Sequence, residues 1–228
     1  MVTIWGFNLS EMRVSAFKGK NMYDRRWYLR RERLIAYQLA MNICLAAECT
    51  ATYSLSKYEA QQENIERYSN WQASVHNNDI IAAEVLTIVF CVFVATIFGA
   101  DLFFLVLWPA RKYPRWYHVI RNILAIGVTL GIFAAALMST IVVASHASYI
   151  TGVSSELARQ YQDIYHRPPL NYKSWAVNIA YVVVLWIGWL FTIASTTFMF
   201  IASNHDQTYG PEPESEKQSV RRDDTGSA

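Results

Sequence analysis

Apolar and polar positions do not mix evenly along this chain of 228 residues; long runs nearly free of charge alternate with short polar segments. Four runs stand out, at 34–56, 80–108, 119–145 and 174–203. Each reaches the roughly 20 residues needed to cross the hydrocarbon core of a bilayer. The third is the cleanest, with no charge between Arg121 and His146, and the first is the most polar, carrying Asn42 and Glu48. Backbone groups in lipid must find partners within their own segment, so these runs predict helices. The ten-residue alternation of a transmembrane barrel is absent from the pattern. The expected fold class is therefore all-α, a four-helix transmembrane bundle over 34–203. A basic segment (1–33) precedes it and a disordered tail (204–228) follows.

Composition agrees with that picture: 53% of residues are hydrophobic and 17% charged. The 33-residue leader has no apolar core followed by a small-residue cleavage site, so the first span is expected to act as an uncleaved signal anchor. Fifteen of the 20 Lys and Arg fall in the leader, in the segment between spans two and three, and in the tail; five fall in the other two loops. Cytoplasmic loops carry such an excess, so both termini are expected in the cytoplasm. Trp27, Tyr28, Trp108, Tyr113, Trp116 and Tyr117 would form the aromatic belt at the inner surface, and Tyr53, Tyr58, Tyr172 and Trp175 the outer one. The sequon at Asn8 would then go unused. Cys44, Cys49 and Cys91 all fall within spans, where they read as small hydrophobes between helices.

The third span carries Gly127, Gly131, Ala135 and Ser139, spaced by four, which would give one smooth stripe for a second backbone to approach. The polar residues inside the spans are the candidate sites, because a charge at the bilayer centre costs about 2.5–3.5 kcal/mol on insertion scales. Asp101 lies roughly 10 Å from the inner boundary at 1.5 Å per residue, at a depth that suits contact with Asn42 or Arg121. Glu84 sits four residues inside the outer boundary, close enough to snorkel to water. Glu48, with His146 and Asn178 at similar depth, completes the set. These groups could serve a proton or ion pathway, or could be polar glue between helices, and the lack of symmetry-related pairs and of proline within any span favours glue.

No phosphate-binding glycine loop, nucleophile elbow or His-Glu-x-x-His pair occurs, and the five histidines lack metal-ligand spacing. No cofactor and no catalytic role are expected, nor is nucleic acid a partner. Seven basic residues between Lys18 and Arg33 include Arg25, Arg26, Arg30, Arg31 and Arg33. Such a juxtamembrane cluster attracts anionic lipid headgroups at about 1 kcal/mol per residue. Ser215, Ser219 and Thr225 of the tail are candidate phosphorylation positions. The outer loops, 57–79 and 146–173, are polar; each is long enough for a short helix, and His166-Arg167-Pro168-Pro169 should be extended or turning.

Four spans, internal termini and two outer loops resemble the plan of the MARVEL, claudin and fungal eisosome tetraspan families. Trp71 stands in the first outer loop without the paired cysteines of the claudin-like groups. The segments from Ala51 to Tyr58, Phe98-Gly99-Ala100-Asp101, Trp108-Pro109 and Tyr113-Pro114-Arg115-Trp116 look like those of four-span membrane proteins of filamentous fungi, over most of 23–203. The resemblance implies no activity. The expectation is a non-enzymatic tetraspan, multi-pass in the plasma membrane, that organises lipids, copies of itself or partner membrane proteins. The alternatives are a small transporter or channel using Glu48, Glu84 and Asp101, and an accessory subunit of a membrane complex.

Overall fold

The computed structural model describes residues 3–4, 7–8, 14–24, 26–109 and 111–210. Arg13, Arg25 and residues 211–228, with Ser215, Ser219 and Thr225, lie outside the described residues. Two short antiparallel strands, β1 (Thr3–Ile4) and β2 (Phe7–Asn8), and one helical turn, α1 (Gly19–Met22), precede the long helices. These are α2 (Arg30–Tyr68), α3 (Asn78–Leu107), α4 (Arg115–Ser145) and α6 (Ala176–Tyr209). All four are long and apolar enough to cross a membrane. At 30 residues, α3 is about 45 Å long, more than the ~30 Å of hydrocarbon it would span. Between the long helices stand strand β3 (Ser74–His76), strand β4 (Tyr149–Thr151) and the short helix α5 (Ser155–Ile164). The fold is all-α, with the predicted four spans.

Two helices outrun their apolar runs. Expected to stop near Ser56, α2 continues to Tyr68, because the sequence beyond is rich in helix-forming Glu, Gln, Ala and Arg. Glu63 and Arg67, four apart, add an ion pair at 2.6 Å. The helix then ends on Asn70, in the left-handed region at φ 48°. Trp71 N donates to Glu66 O at 2.7 Å and Asn70 N to Arg67 O at 3.1 Å, the paired bonds of a Schellman end. At the other end of the chain, α6 runs six residues into the stretch expected to be disordered, since His205 stacks on Tyr28 at 3.8 Å. Gly210 (φ 77°) closes α6.

The chain forms two compact units: 1–40, 96–127 and 191–228 make the first, and 41–95 with 128–190 the second. Each long helix contributes a stretch to both. In the first unit Leu34, Tyr37, Phe98, Val106, Ala125 and Met199, from α2, α3, α4 and α6, are buried. The second holds its helices around Ala51, Tyr58, Ile80, Ala83, Val142, Tyr172 and Tyr181. Small residues permit close approach here, since a Cβ on Gly188 of α6 would stand 3.0 Å from Cys44 Sγ of α2. A smaller cluster of Ile65, Ala73, Val75 and Tyr161 joins the polar end of α2 to the β3–β4 pair and α5. In that pair Val75 faces Ile150, and Gly152 (φ 85°) turns the chain where any side chain would strike the carbonyl of Gln72. Helix α5 begins on Ser154, whose hydroxyl accepts from Leu157 N.

The outward faces of the long helices carry Leu45, Phe93, Ile123, Leu130, Ile141 and Leu190, all exposed. Charge is buried instead at Arg33, Glu84, Asp101 and Arg121. Apolar outside with charge inside is an arrangement that suits lipid as the solvent.

The four-residue stripe of α4 divides. Gly131, Ala135 and Ser139 are buried, whereas Gly127 is exposed with nothing near its would-be Cβ. Gly131 lies directly under the Phe90 ring of α3, which occupies the place of a Cβ. Gly131→Leu is expected to lower unfolding stability in detergent by roughly 1–3 kcal/mol through overpacking. Gly127→Leu should stay within about 0.5 kcal/mol of wild type. Thermal unfolding of the two variants side by side measures the difference.

Candidate functional site

Asp101, expected to meet Asn42 or Arg121, meets Arg121 and two residues of α2. Arg121 Nη1 donates to Oδ1 at 2.7 Å, while Arg33 Nη2 and the Tyr37 hydroxyl donate to Oδ2 at 2.9 and 2.8 Å. Arg33 and Tyr37 are four apart and share a helix face, and Arg33 Nε reaches Tyr37 Oη at 3.4 Å. The centre is buried: Arg33, Asp101 and Arg121 are 3%, 4% and 9% exposed. It extends to α6, because Arg121 Nη2 lies 3.5 Å from His118 Nδ1, which faces Ser203 Oγ at 3.0 Å, and Gln207 Nε2 donates to Ser203 at 3.3 Å. One carboxylate on α3 thus fastens α2 and α4 within the first unit, and His118 carries the network on to α6. Asn42 is exposed and takes no part.

Beside this centre opens a cavity of about 370 Å³, within the range of small-molecule sites. Its lining holds five formal cations, Arg33, Arg111, Lys112, Arg115 and Arg121, against two acids, Asp101 and Asp206. Phe104, Tyr113 and Tyr117 build an aromatic wall; Tyr113 and Tyr117 stack at 4.7 Å, and Arg121 lies over Tyr117 at 5.8 Å. Burial, then the neighbouring Tyr117, pushes the Tyr113 phenol up to about 12, so it stays a neutral donor at physiological pH. The Tyr113 hydroxyl and Arg121 Nε have no hydrogen-bond partner among the described residues.

The second unit has a polar centre of its own, with Asn178 of α6 as its hub. Ser54 donates to Asn178 Oδ1 at 2.7 Å; Asn178 Nδ2 donates to Tyr58 Oη at 2.9 Å and to the carbonyl of Tyr172 at 3.1 Å. The Tyr172 hydroxyl donates to Asp79 Oδ1 at 2.7 Å, and Asp79 Oδ2 faces His146 Nδ1 at 2.8 Å. Burial first, and then the bond to Asp79, raises the Tyr172 phenol above its ordinary value. Thr87 and Ser139 meet at 3.2 Å.

Glu84, close enough to the boundary in sequence to reach water, does not: its exposure is 0%, and it stands near Ser54, Tyr58 and Tyr181 of α2 and α6. Ser54 lies nearby but gives its only hydroxyl proton to Asn178, leaving both Glu84 oxygens without a donor in hydrogen-bond geometry. Glu48 is half-buried, and its carboxyl makes no hydrogen bond or ion pair among the described residues. Asp101 belongs to the first unit, Glu48 and Glu84 to the second. Within the second unit no hydrogen bond or ion pair among the described residues joins Glu48 to Glu84, His146 or Asn178.

Of the residues expected to meet headgroups, Arg30 and Arg33 are buried. Arg30 Nε donates to the carbonyl of Met22 at 3.1 Å and its Nη2 to that of Val106 at 3.5 Å. Their positions on the inward face of α2, opposite exposed Ile35 and Leu39, turn them away from the surface. Arg31 is half-buried, and exposed Arg26 pairs with Asp24 at 2.7 Å. Among the described residues no group of three His, Cys, Asp or Glu is placed to hold a metal ion.

Removing the shared acceptor should cost more than removing one donor. Asp101→Asn, which strands two buried guanidiniums, is expected to lose about 3–5 kcal/mol. Arg121→Gln, which leaves Arg33 and Tyr37 on the carboxylate, should lose less. Unfolding of both variants in the same detergent gives the order; a smaller loss for Asp101→Asn would contradict the shared-acceptor geometry.

No family model matches the chain, and no curated protein and no solved structure matches it.

Proposed function

We propose that this integral membrane protein is a non-enzymatic tetraspan that organises lipids or partner membrane proteins, with its basic first unit and both termini at the cytoplasmic face, in the plasma membrane. The observation that carries the reading is the state of Asp101. The acid that would most naturally serve a moving ion is held by two arginines and a tyrosine from neighbouring helices. Such a group holds helices together and is not free to exchange a proton or ion. Orientation is supported by the charge count along the chain.

A transporter remains the second reading because two observations favour it: the cavity reaches Asp101, and Glu84 is buried without a donor. Purified protein in proteoliposomes separates the two. The organiser reading expects no proton or solute flux above protein-free vesicles; a flux abolished by Glu48→Gln or Glu84→Gln would replace it with the transporter. Pull-down from mild detergent should recover defined lipids or membrane proteins, and other subunits in fixed stoichiometry would mark an accessory subunit. Epitopes placed at either terminus should be detected by antibody only after the cells are permeabilised.

A further inference from the structure

We propose that the cavity beside Asp101 is a binding site for a phosphate-bearing anion, supplied by the headgroup of a membrane lipid. Charge is the first ground. Two guanidiniums share the single carboxylate of Asp101, so the buried centre is left positive, and Arg111, Lys112 and Arg115 add to it across the cavity. Asp206 offsets one of these charges. The excess of three suits an anion carrying more than one charge, as a phosphate monoester does near neutral pH.

Donor chemistry is the second ground. Guanidinium forks match phosphate oxygens in geometry, and lysine binds them as a point charge. Arg121 Nε and the Tyr113 hydroxyl are buried lining groups with hydrogens to give and no acceptor among the described residues. Buried donors are seldom left so. The aromatic wall fixes where these donors stand, since Arg121 rests on Tyr117, Arg111 on Tyr113 at 5.5 Å, and the two tyrosines stack.

The third ground selects lipid as the source. The cavity lies where α3 ends and α4 begins, next to Trp108, a residue type of membrane interfaces. The cavity thus stands at the end of two helices long and apolar enough to cross a membrane, the level at which lipid headgroups lie.

The test uses the full-length protein in phosphatidylcholine nanodiscs, with phosphatidic acid (a phosphomonoester) or phosphatidylserine (also anionic, but a diester) as the added lipid. Retention is read by native mass spectrometry and stability by thermal unfolding. Phosphatidic acid should be retained over both other lipids and raise the midpoint. Arg111→Gln/Lys112→Gln/Arg115→Gln leaves the Arg33–Asp101–Arg121 centre intact and should weaken retention roughly a hundredfold, the effect of three near-surface cations. Arg159→Gln/Arg167→Gln/Lys173→Gln removes equal charge from the second unit and should change nothing. Should the first triple variant unfold in phosphatidylcholine, Arg115→Gln alone, at an exposed position, is expected to weaken retention roughly fivefold. Equal retention of the three lipids, or equal loss in both triple variants, would overturn the site. In detergent without lipid, inorganic phosphate should stabilise only weakly; stabilisation as large as that by phosphatidic acid would overturn lipid as the source and leave the phosphate chemistry standing. Lipid retention is read independently of flux, so the site can fail while the organiser reading survives, and the reverse.

Discussion

A carboxylate placed among hydrocarbon chains must be neutralised by the protein, and Asp101 sets that constraint for the first unit. Each of its oxygens is claimed, one by Arg121 and the other by Arg33 and Tyr37. The donors come from α2 and α4, so the rotation of both helices about their axes is tied to α3. Turning either one outward would strand a guanidinium in lipid, which costs several kcal/mol. Ser203 and Gln207 then bring α6 to His118 by weaker, neutral bonds. Helix association in a membrane lacks the hydrophobic drive available in water, so directional polar contacts and close packing must specify it.

The second unit meets the same requirement differently. Its polar centre has the neutral Asn178 amide as its hub, and its backbones approach through small residues such as Gly131 under Phe90 and Gly188 against Cys44. Beyond the apolar runs, the same unit builds a small structure of the kind found in soluble domains. The end of α2, the β3–β4 pair and α5 bury Ile65, Val75 and Tyr161 together. Polar residues dominate that part of the sequence, and water outside the membrane supplies the hydrophobic drive for its core.

Basic residues near the first unit do two separate jobs. As a count along the chain they bias insertion; as placed side chains they neutralise Asp101 and line a cavity. Arg33 belongs to the juxtamembrane cluster by sequence and to the buried centre by position. An excess of cations beside a single fixed carboxylate suits that cavity to anions.

Hydropathy alone determined the number of spans, their helical character and their centres, because lipid penalises unpaired backbone and exposed charge over some 20 residues at a time. It also marked Asp101 as exceptional and Arg121 as within its reach. Helix ends were less legible: the apolar pattern stops at Ser56, whereas the α2 backbone continues through Glu63 and Arg67 to the Asn70 turn. Partnerships were the least legible of all. That Arg33 and Tyr37 face Asp101, that Glu84 is buried, and that Gly127 drops out of the stripe depend on how each helix is rotated, which the near-uniform apolarity of these segments does not encode. Only the packed tertiary structure, bringing together residues as far apart as 33, 101, 121 and 203, fixed those rotations.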